Sequence, residues 1–436
     1  MRFPASPARF EGAIAEWRAF SARDYRSFRV LAVAQGVTGP LAGPAIVLPL
    51  LLALDAHPAL ATLLAVLPVL GTVAQRWVPD LLDRTDGNMR GIVLLAVTVG
   101  EPRGLYLAAI VGLTALGILP AWAAVGGIGL LWGIFGATGA IGSGMLQAWY
   151  QIVLPDAERR VVTPRLGGIA LGIGSVILLP FAIWIDDLVV SIGLWAYAIP
   201  FAVAGSAGLV AAVGVRRLPP PGRVRVPRTS TWRDGADAGR LRNHGRLMSM
   251  ALLSAGLSPF LSLYAMVVLG TGAGFAIAIS AASSATLVLA SLFVSSRLAR
   301  GSSSRTLRTA FAMRAGALFL GLAAHPANPL APVVVIVVAV VLAAGDAAGA
   351  LSANERLVRL ATGPSVIAFQ SHYVLPNVLA YAAGIGISSA VMLMGGWASF
   401  AILFGAAGVS RLAAARTTQV STPKTDTTSI QVSARA

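Results

Sequence analysis

The chain has 436 residues, of which 56% are hydrophobic and only 11% charged, and its mean hydropathy is +0.78. A soluble domain carries roughly 25% charged residues, and a chain this apolar would expose more apolar surface to water than a monomer tolerates. The composition excludes ordinary soluble domains, and the absence of cysteine excludes disulfides, thiolate metal sites and thiol catalysis. A net charge of +16 raises nucleic acid as a partner, but the placement of the charges argues against it.

A helix crossing a bilayer needs about 20 mostly apolar residues. In chain order such runs fall at Val30–Leu54, Ala59–Val78, Gly91–Leu119, Ala121–Leu146, Gly167–Ile185 and Ser191–Gly214. After a polar gap they resume at Leu247–Leu269, Thr271–Val294, Thr309–Ala324, Leu330–Ala353, Tyr373–Met394 and Gly396–Ser410. Two are interrupted, the third by Glu101, Pro102 and Arg103 and the ninth by Arg314. Counting both gives twelve.

Charge supports that count. Of 33 Lys and Arg, 31 lie in the N-terminal segment, the even-numbered loops and the C-terminal tail, the exceptions being Arg103 and Arg314. The odd-numbered loops carry no Lys or Arg, only Asp55, Asp186 and Asp187 among charged residues. Because Lys and Arg are retained on the cytoplasmic side, both termini are expected in the cytoplasm of a multi-pass plasma (inner) membrane protein. The basic loops then face anionic lipid headgroups, which accounts for the charge without nucleic acid.

The expected fold is an all-α polytopic membrane protein with twelve transmembrane helices in two six-helix bundles. Residues 1–29 form a cytoplasmic segment in which Phe10, Ile14, Trp17 and Phe20 suit an amphipathic helix on the inner leaflet, or else a frayed basic tail. Residues 30–214 form the first bundle and 247–410 the second. Between them 215–246, with Pro219-Pro220-Pro221 and nine Arg, reads as a basic cytoplasmic linker. The Ser/Thr-rich tail within 411–436 reads as disordered and cytoplasmic. Hydropathy and charge repeat across the halves, with arginine-bearing loops after the second, fourth, eighth and tenth spans.

One loop carries a motif. Between spans two and three, Pro79-Asp80-Leu81-Leu82-Asp83-Arg84-Thr85-Asp86-Gly87-Asn88-Met89-Arg90 resembles the loop Gly-x-Leu-Ala-Asp-Arg-x-Gly-Arg-Arg of the major facilitator superfamily. The Asp-Arg pair and the glycine turn are kept. Pro79 replaces a glycine, one extra residue precedes Gly87, and Asn88-Met89 replace basic residues. The 6+6 plan over Ser27–Arg416 resembles the same family. The resemblance implies a secondary active transporter working by alternating access, with Asp83, Arg84, Gly87 and Arg90 forming a gating loop. The competing reading is a solvated turn. The intramembrane Arg expected in the fourth span of drug–proton antiporters is missing, as is the glycine-proline pattern of their fifth.

Ionisable groups inside a membrane cost roughly 2.5–3.5 kcal/mol each on insertion scales, so each is a transport or coupling candidate. Asp346 stands eight residues before Asn354, about 12 Å deep. It is a candidate to bind a proton or cationic group, against a plain interhelical hydrogen bond. Glu101 and Arg103 lie on different helix faces around Pro102, and read either as a broken-helix site or as a structural kink. Arg314 is expected to snorkel to the inner interface. Gln35, Asn377 and Tyr381 are weaker substrate-contact candidates, because the resemblance puts their spans around the cavity.

The four histidines, His57, His244, His325 and His372, are scattered over loops and span ends, and no metal or cofactor site is expected. No Gly-x-x-x-x-Gly-Lys-Ser/Thr loop serves ATP hydrolysis, and the chain does not read as an enzyme. The solute is expected to be small and amphipathic or weakly charged. A non-transporting receptor or scaffold on a transporter fold is the alternative.

Overall fold

The computed structural model describes residues 25–153, 156–224, 238–258, 260–298, 303–360 and 364–420. Residues 1–24, which hold the expected amphipathic segment, residues 225–237 within the basic linker, and residues 421–436 lie outside the described residues. Among the described residues there are helices and turns and no strands. Eleven helical spans are long and apolar enough to cross a membrane. The ninth, Ser303–Gly321, completes twelve, and its Arg305, Arg308 and Arg314 keep its apolarity below that of the others.

Several spans are broken where the sequence supplies proline or glycine. Span 1 runs as Arg26–Leu41 and Pro44–Ala53, divided at Ala42-Gly43 just after Pro40. Span 2 is the most segmented, with helices Pro58–Ala65, Leu67–Gly71 and Val78–Arg84 joined through a 3-10 turn at Thr72–Trp77. Span 3 divides into Met89–Gly100 and Arg103–Ala115 around Pro102, which ends a helix because it has no N–H to donate. Spans 4 (Ala121–Val153), 5 (Asp156–Ile192) and 6 (Trp195–Arg216) are continuous. Span 7 runs Ala238–Leu257 and Leu261–Val267. Spans 8 (Ala273–Leu298), 10 (Ala331–Leu360), 11 (Pro364–Met392) and 12 (Gly396–Val420) complete the chain.

Several boundaries differ from the sequence expectation: spans 5 and 11 begin earlier, at Asp156 and Pro364, spans 4 and 10 run on to Val153 and Leu360, and three further differences bear on packing. Span 7 begins nine residues before Leu247, at Ala238, because Leu241 and His244 are buried and extend its packed face. Span 5 carries on through Asp186 and Asp187 to Ile192, so those acids belong to a helix and not a loop. Span 12 continues past Ser410 to Val420, with Arg411, Ala414 and Ala415 buried.

Helix pairing repeats between the halves. In the first, span 1 packs on spans 5 and 6, span 3 on spans 4 and 6, and span 2 on span 4. In the second, span 7 packs on spans 11 and 12, span 9 on spans 10 and 12, and span 8 on span 10. Without water to expel, helices in a membrane associate by close packing and interhelical hydrogen bonds. The pattern depends accordingly on small residues. At Gly104, Gly205 and Gly208 the two segments of span 3 press directly on span 6, so that an added Cβ would meet backbone. Gly256 and Gly384 do the same where spans 7 and 11 cross.

The halves meet through spans 5 and 8 and through spans 2 and 11. At the acidic end, where the loops hold no Arg, the Asp186 carboxylate accepts a hydrogen bond of 3.1 Å from the backbone N–H of Gly274. Gly274 lies in the first turn of span 8, so the carboxylate also faces the positive end of that helix. At the basic end Ile367 of span 11 is buried in a cluster with Met145 and Trp149 of span 4. The indole of Trp149 donates to the Pro219 carbonyl at 2.8 Å, tying span 4 to the chain leaving span 6.

The crossing of spans 7 and 11 is the packing contact on which the second half's interior depends. A Gly256→Val substitution drives its side chain into the Tyr381 carbonyl, and overpacking of this kind costs about 1–3 kcal/mol. The purified variant should melt several degrees below the parent; an unchanged melting temperature would mean that the helices do not cross this closely.

Candidate functional site

A cavity of about 210 Å³ lies at the interface of the halves. Span 2 contributes Val66, and the other walls come from spans 7, 9, 10 and 11. Breaks in helices build it. Span 7 stops at Leu257 and resumes at Leu261, which puts Ser258 and Phe260 on the cavity surface. The Gly256 carbonyl, at the end of that helix, accepts a hydrogen bond from Ser388 Oγ at 2.7 Å. Such breaks are tolerated at membrane depth where the backbone lines a cavity or is buried in protein.

Two ionised side chains meet in the wall. Arg314 Nη2 stands 2.5 Å from Asp346 Oδ1, with the Asp346 side chain 46% exposed towards the cavity and Arg314 17%. Gly345 makes the approach possible, because an added Cβ there would lie 2.5 Å from Arg314 Cγ. Span 9 thus lays its arginine stem across span 10 in the notch before Asp346. This corrects the expectation that Arg314 snorkels to the inner interface. The Asp346 carboxylate 2.5 Å away gives the guanidinium a charged hydrogen-bonding partner inside the protein.

Arg411 is the residue that sequence reasoning missed. It was assigned to the solvated tail, yet its side chain is 0% exposed. Its Nε, Nη1 and Nη2 have no hydrogen-bond partner. Its guanidinium carbon lies 5.8 Å from the centre of the Phe311 ring, and it lies within electrostatic range of Arg314 and Asp346. Next to it, Ser410 Oγ and Ser254 Oγ are 2.6 Å apart, fastening span 12 to span 7. The available signal was the continuation of alanines and leucines past Ser410, which keeps one helix face apolar through Ala415.

The remaining candidates divide. Tyr381 lines the cavity beside the ion pair. Asn377, one turn away, accepts a hydrogen bond from Ser249 at 2.8 Å and joins spans 7 and 11. Gln35 is half-buried in span 1 and is not among the residues lining the cavity. Glu101 accepts a hydrogen bond from Thr38 Oγ1 at 3.0 Å, linking span 3 to span 1, while the Arg103 Nε is buried without a partner. Both flank the Pro102 break, away from the cavity lining.

The motif loop is a compact turn. Gly87 has φ +76°, a left-handed conformation that costs glycine little, and its carbonyl accepts from the Val224 N–H at 3.1 Å. An added Cβ at Gly87 would press on the Val224 backbone. Arg90 Nη2 donates to the Arg216 carbonyl at 2.6 Å, at the end of span 6, where the helix dipole favours a cation. Asn88 caps the helix that follows, accepting from the Gly91 N–H at 2.9 Å. Asp83 and Arg84 are exposed in the last turn before it, in a helix that abuts span 11 of the other half. Among the described residues no group of three or more His, Asp or Glu is placed to hold a metal.

With that geometry in place, solved structures give the comparison. The partially occluded inward-open form of the xylose transporter XylE from E. coli superposes with a TM-score of 0.67 at 12% identity, over 93% of this chain and 99% of that one. The nucleoside transporter NupG, as its D323A mutant, gives 0.61 at 15% identity over 91% and 99%. A bacterial homologue of the iron transporter ferroportin, outward-facing, gives 0.59 at 14% identity over 91% and 99%. The chain has the twelve-helix fold of these proteins. It is the fold that the sequence resemblance implied. No family model and no curated protein matches the sequence.

A double-mutant cycle tests the ion pair. Arg314→Met and Asp346→Asn should each lower the unfolding free energy, and together they should be non-additive by about 1–3 kcal/mol, as for charges in direct contact. Additivity within a few tenths of a kcal/mol would remove the pair.

Proposed function

We propose that this chain is a secondary active transporter, not an enzyme, moving a small amphipathic or weakly charged solute across the plasma membrane by alternating access. The observation that carries the reading is the cavity between the two halves with Arg314 and Asp346 in its wall. It is supported by a fold shared with proteins described as transporters of xylose, of nucleosides and of iron. Both termini face the cytoplasm in this reading, because the arginine-bearing loops all lie at one end.

Asp346 couples a proton to transport. When ionised it holds Arg314, and span 9 is fixed to span 10. A proton on the carboxylate weakens that hold and frees Arg314 for another partner, so that the two charge states favour different arrangements of the second half. Asp83, Arg84, Gly87 and Arg90 act at the basic end, where the helix bearing Asp83 slides past span 11 as the halves rock. Glu101 and Arg103 shape the kink of span 3, and Gln35 and Asn377 hold helices together beside the solute path.

Reconstituted vesicles test the proposal. With an inward proton gradient, the wild-type protein should accumulate at least one small amphipathic solute from a metabolite mixture read by mass spectrometry. Asp346→Asn should still insert and exchange that solute but no longer concentrate it. Accumulation by Asp346→Asn equal to wild type would end the coupling role, and no accumulation of any solute by wild type would end the transporter reading. Orientation is read in intact cells by single cysteines, since the chain has none of its own. Ala327→Cys at the acidic end should react with an impermeant maleimide, and Thr85→Cys at the basic end only after permeabilisation.

A further inference from the structure

The charges inside the second half do not balance. Among the described residues Arg314 and Arg411 are within electrostatic range of one carboxylate, Asp346, and only Arg314 is in ion-pair contact with it. In these two guanidinium groups four nitrogens are buried without a hydrogen-bond partner, namely Nε of Arg314 and Nε, Nη1 and Nη2 of Arg411. Leaving a buried cation uncompensated is strongly unfavourable, and each such group calls for a physical explanation. The Phe311 ring, 5.8 Å from the Arg411 guanidinium, attracts the cation through its face but offers no acceptor for the in-plane N–H groups.

Depth brings the three groups together. Asp346 is fifteen residues from Ala331, where span 10 begins, and Arg411 is fifteen residues from Gly396, where span 12 begins. Both therefore lie about 22 Å below the acidic end of their helices. Arg314 reaches the same level from span 9. Arg314 and Asp346 line the cavity and Arg411 stands behind them.

We propose that this cluster binds one anionic group of the solute, a carboxylate or a phosphate monoester. The anion takes Arg314 at the cavity wall while Asp346 turns to Arg411. The inference rests on the transporter reading and deepens it by naming the charge of the solute. A cation entering the cavity would add to an existing excess of positive charge, whereas an anion cancels it. With an anion in place the count is two guanidinium groups, one carboxylate and one solute anion. Arg411 is thus the standby partner that keeps Asp346 paired when the solute displaces it. The fork of N–H donors on a guanidinium matches either oxyanion in a two-point contact. The rest of the solute meets Val66, Leu342, Phe260 and Ile385, an apolar surface suited to an amphipathic body.

The test uses the purified full-length protein in detergent, melted at constant ionic strength with benzoate, phenyl phosphate or the neutral benzamide. Benzoate or phenyl phosphate should raise the melting temperature saturably while benzamide does not, and which of the two acts decides between carboxylate and phosphate. Asp346→Asn removes the competing carboxylate and should tighten the effective anion severalfold, a gain that a purely structural Asp346 would not give. Arg411→Gln should weaken it about tenfold or more. If Arg411→Gln fails to fold, the tightening in Asp346→Asn still decides. Equal stabilisation by benzamide, no response to either anion up to its solubility limit, or weaker anion binding in Asp346→Asn each overturns the proposal. In vesicles the two readings fail separately. Accumulation of a neutral solute, with both anions inert, removes the anion site and leaves the transporter. Anion binding without transport of any solute removes the transporter and leaves the anion site.

Discussion

Burying an arginine and an aspartate together inside an apolar bundle is unfavourable unless each finds the other, and the second half of this chain is packed so that Arg314 and Asp346 do. Gly345 clears the notch through which the Arg314 stem passes. The break in span 7 opens the space beside the pair, and the Ser388 hydroxyl supplies a hydrogen bond to the carbonyl at the end of the broken helix. The close crossing of spans 7 and 11 at Gly256 and Gly384 then brings Tyr381 to the same wall. Remove the pair and these features have no common purpose; keep it, and each is what a charged cavity wall in a membrane requires.

The contacts that close the two ends of the molecule are of a different kind. At the acidic end one hydrogen bond from Gly274 to Asp186, at the mouth of a helix, spans the halves. At the basic end the contact is apolar, with Ile367 set among residues of the first half. Neither is an ion-pair network among the described residues. Inside the first half the motif loop fastens span 6 through Arg90, and Gly87 holds the chain that leaves it.

Most of the fold was legible in the sequence, because a membrane imposes a length and a polarity that a linear reading detects. The alternation of Arg-rich and Arg-free loops fixed the number of spans, and Pro102 marked the break in span 3. What a linear reading misses is direction around a helix axis. Arg314 looked close enough to the interface to reach it, but its position on span 9 aims it at Asp346. Arg411 followed the last apolar run and was counted with the tail, although the helix continues and turns that residue inwards. Glu101 had no visible partner because Thr38 lies sixty-three residues away on another span. Asp346 stood out in the sequence as a short carboxylate at membrane depth, and the structure places it against Arg314 in the cavity wall.

The central claim is that the two halves rock about the cavity, opening one end as the other closes. Spin-label distances test it most directly, and the absence of native cysteine lets every label be placed by choice. One pair, Thr85→Cys with Arg308→Cys, spans the halves at the basic end; the other, Leu116→Cys with Ala327→Cys, spans them at the acidic end. In lipid, replacing Asp346 by Asn, which removes its charge, should lengthen one distance and shorten the other. A single fixed distance at both ends, with or without that replacement, would contradict the account and leave a rigid scaffold in place of a transporter.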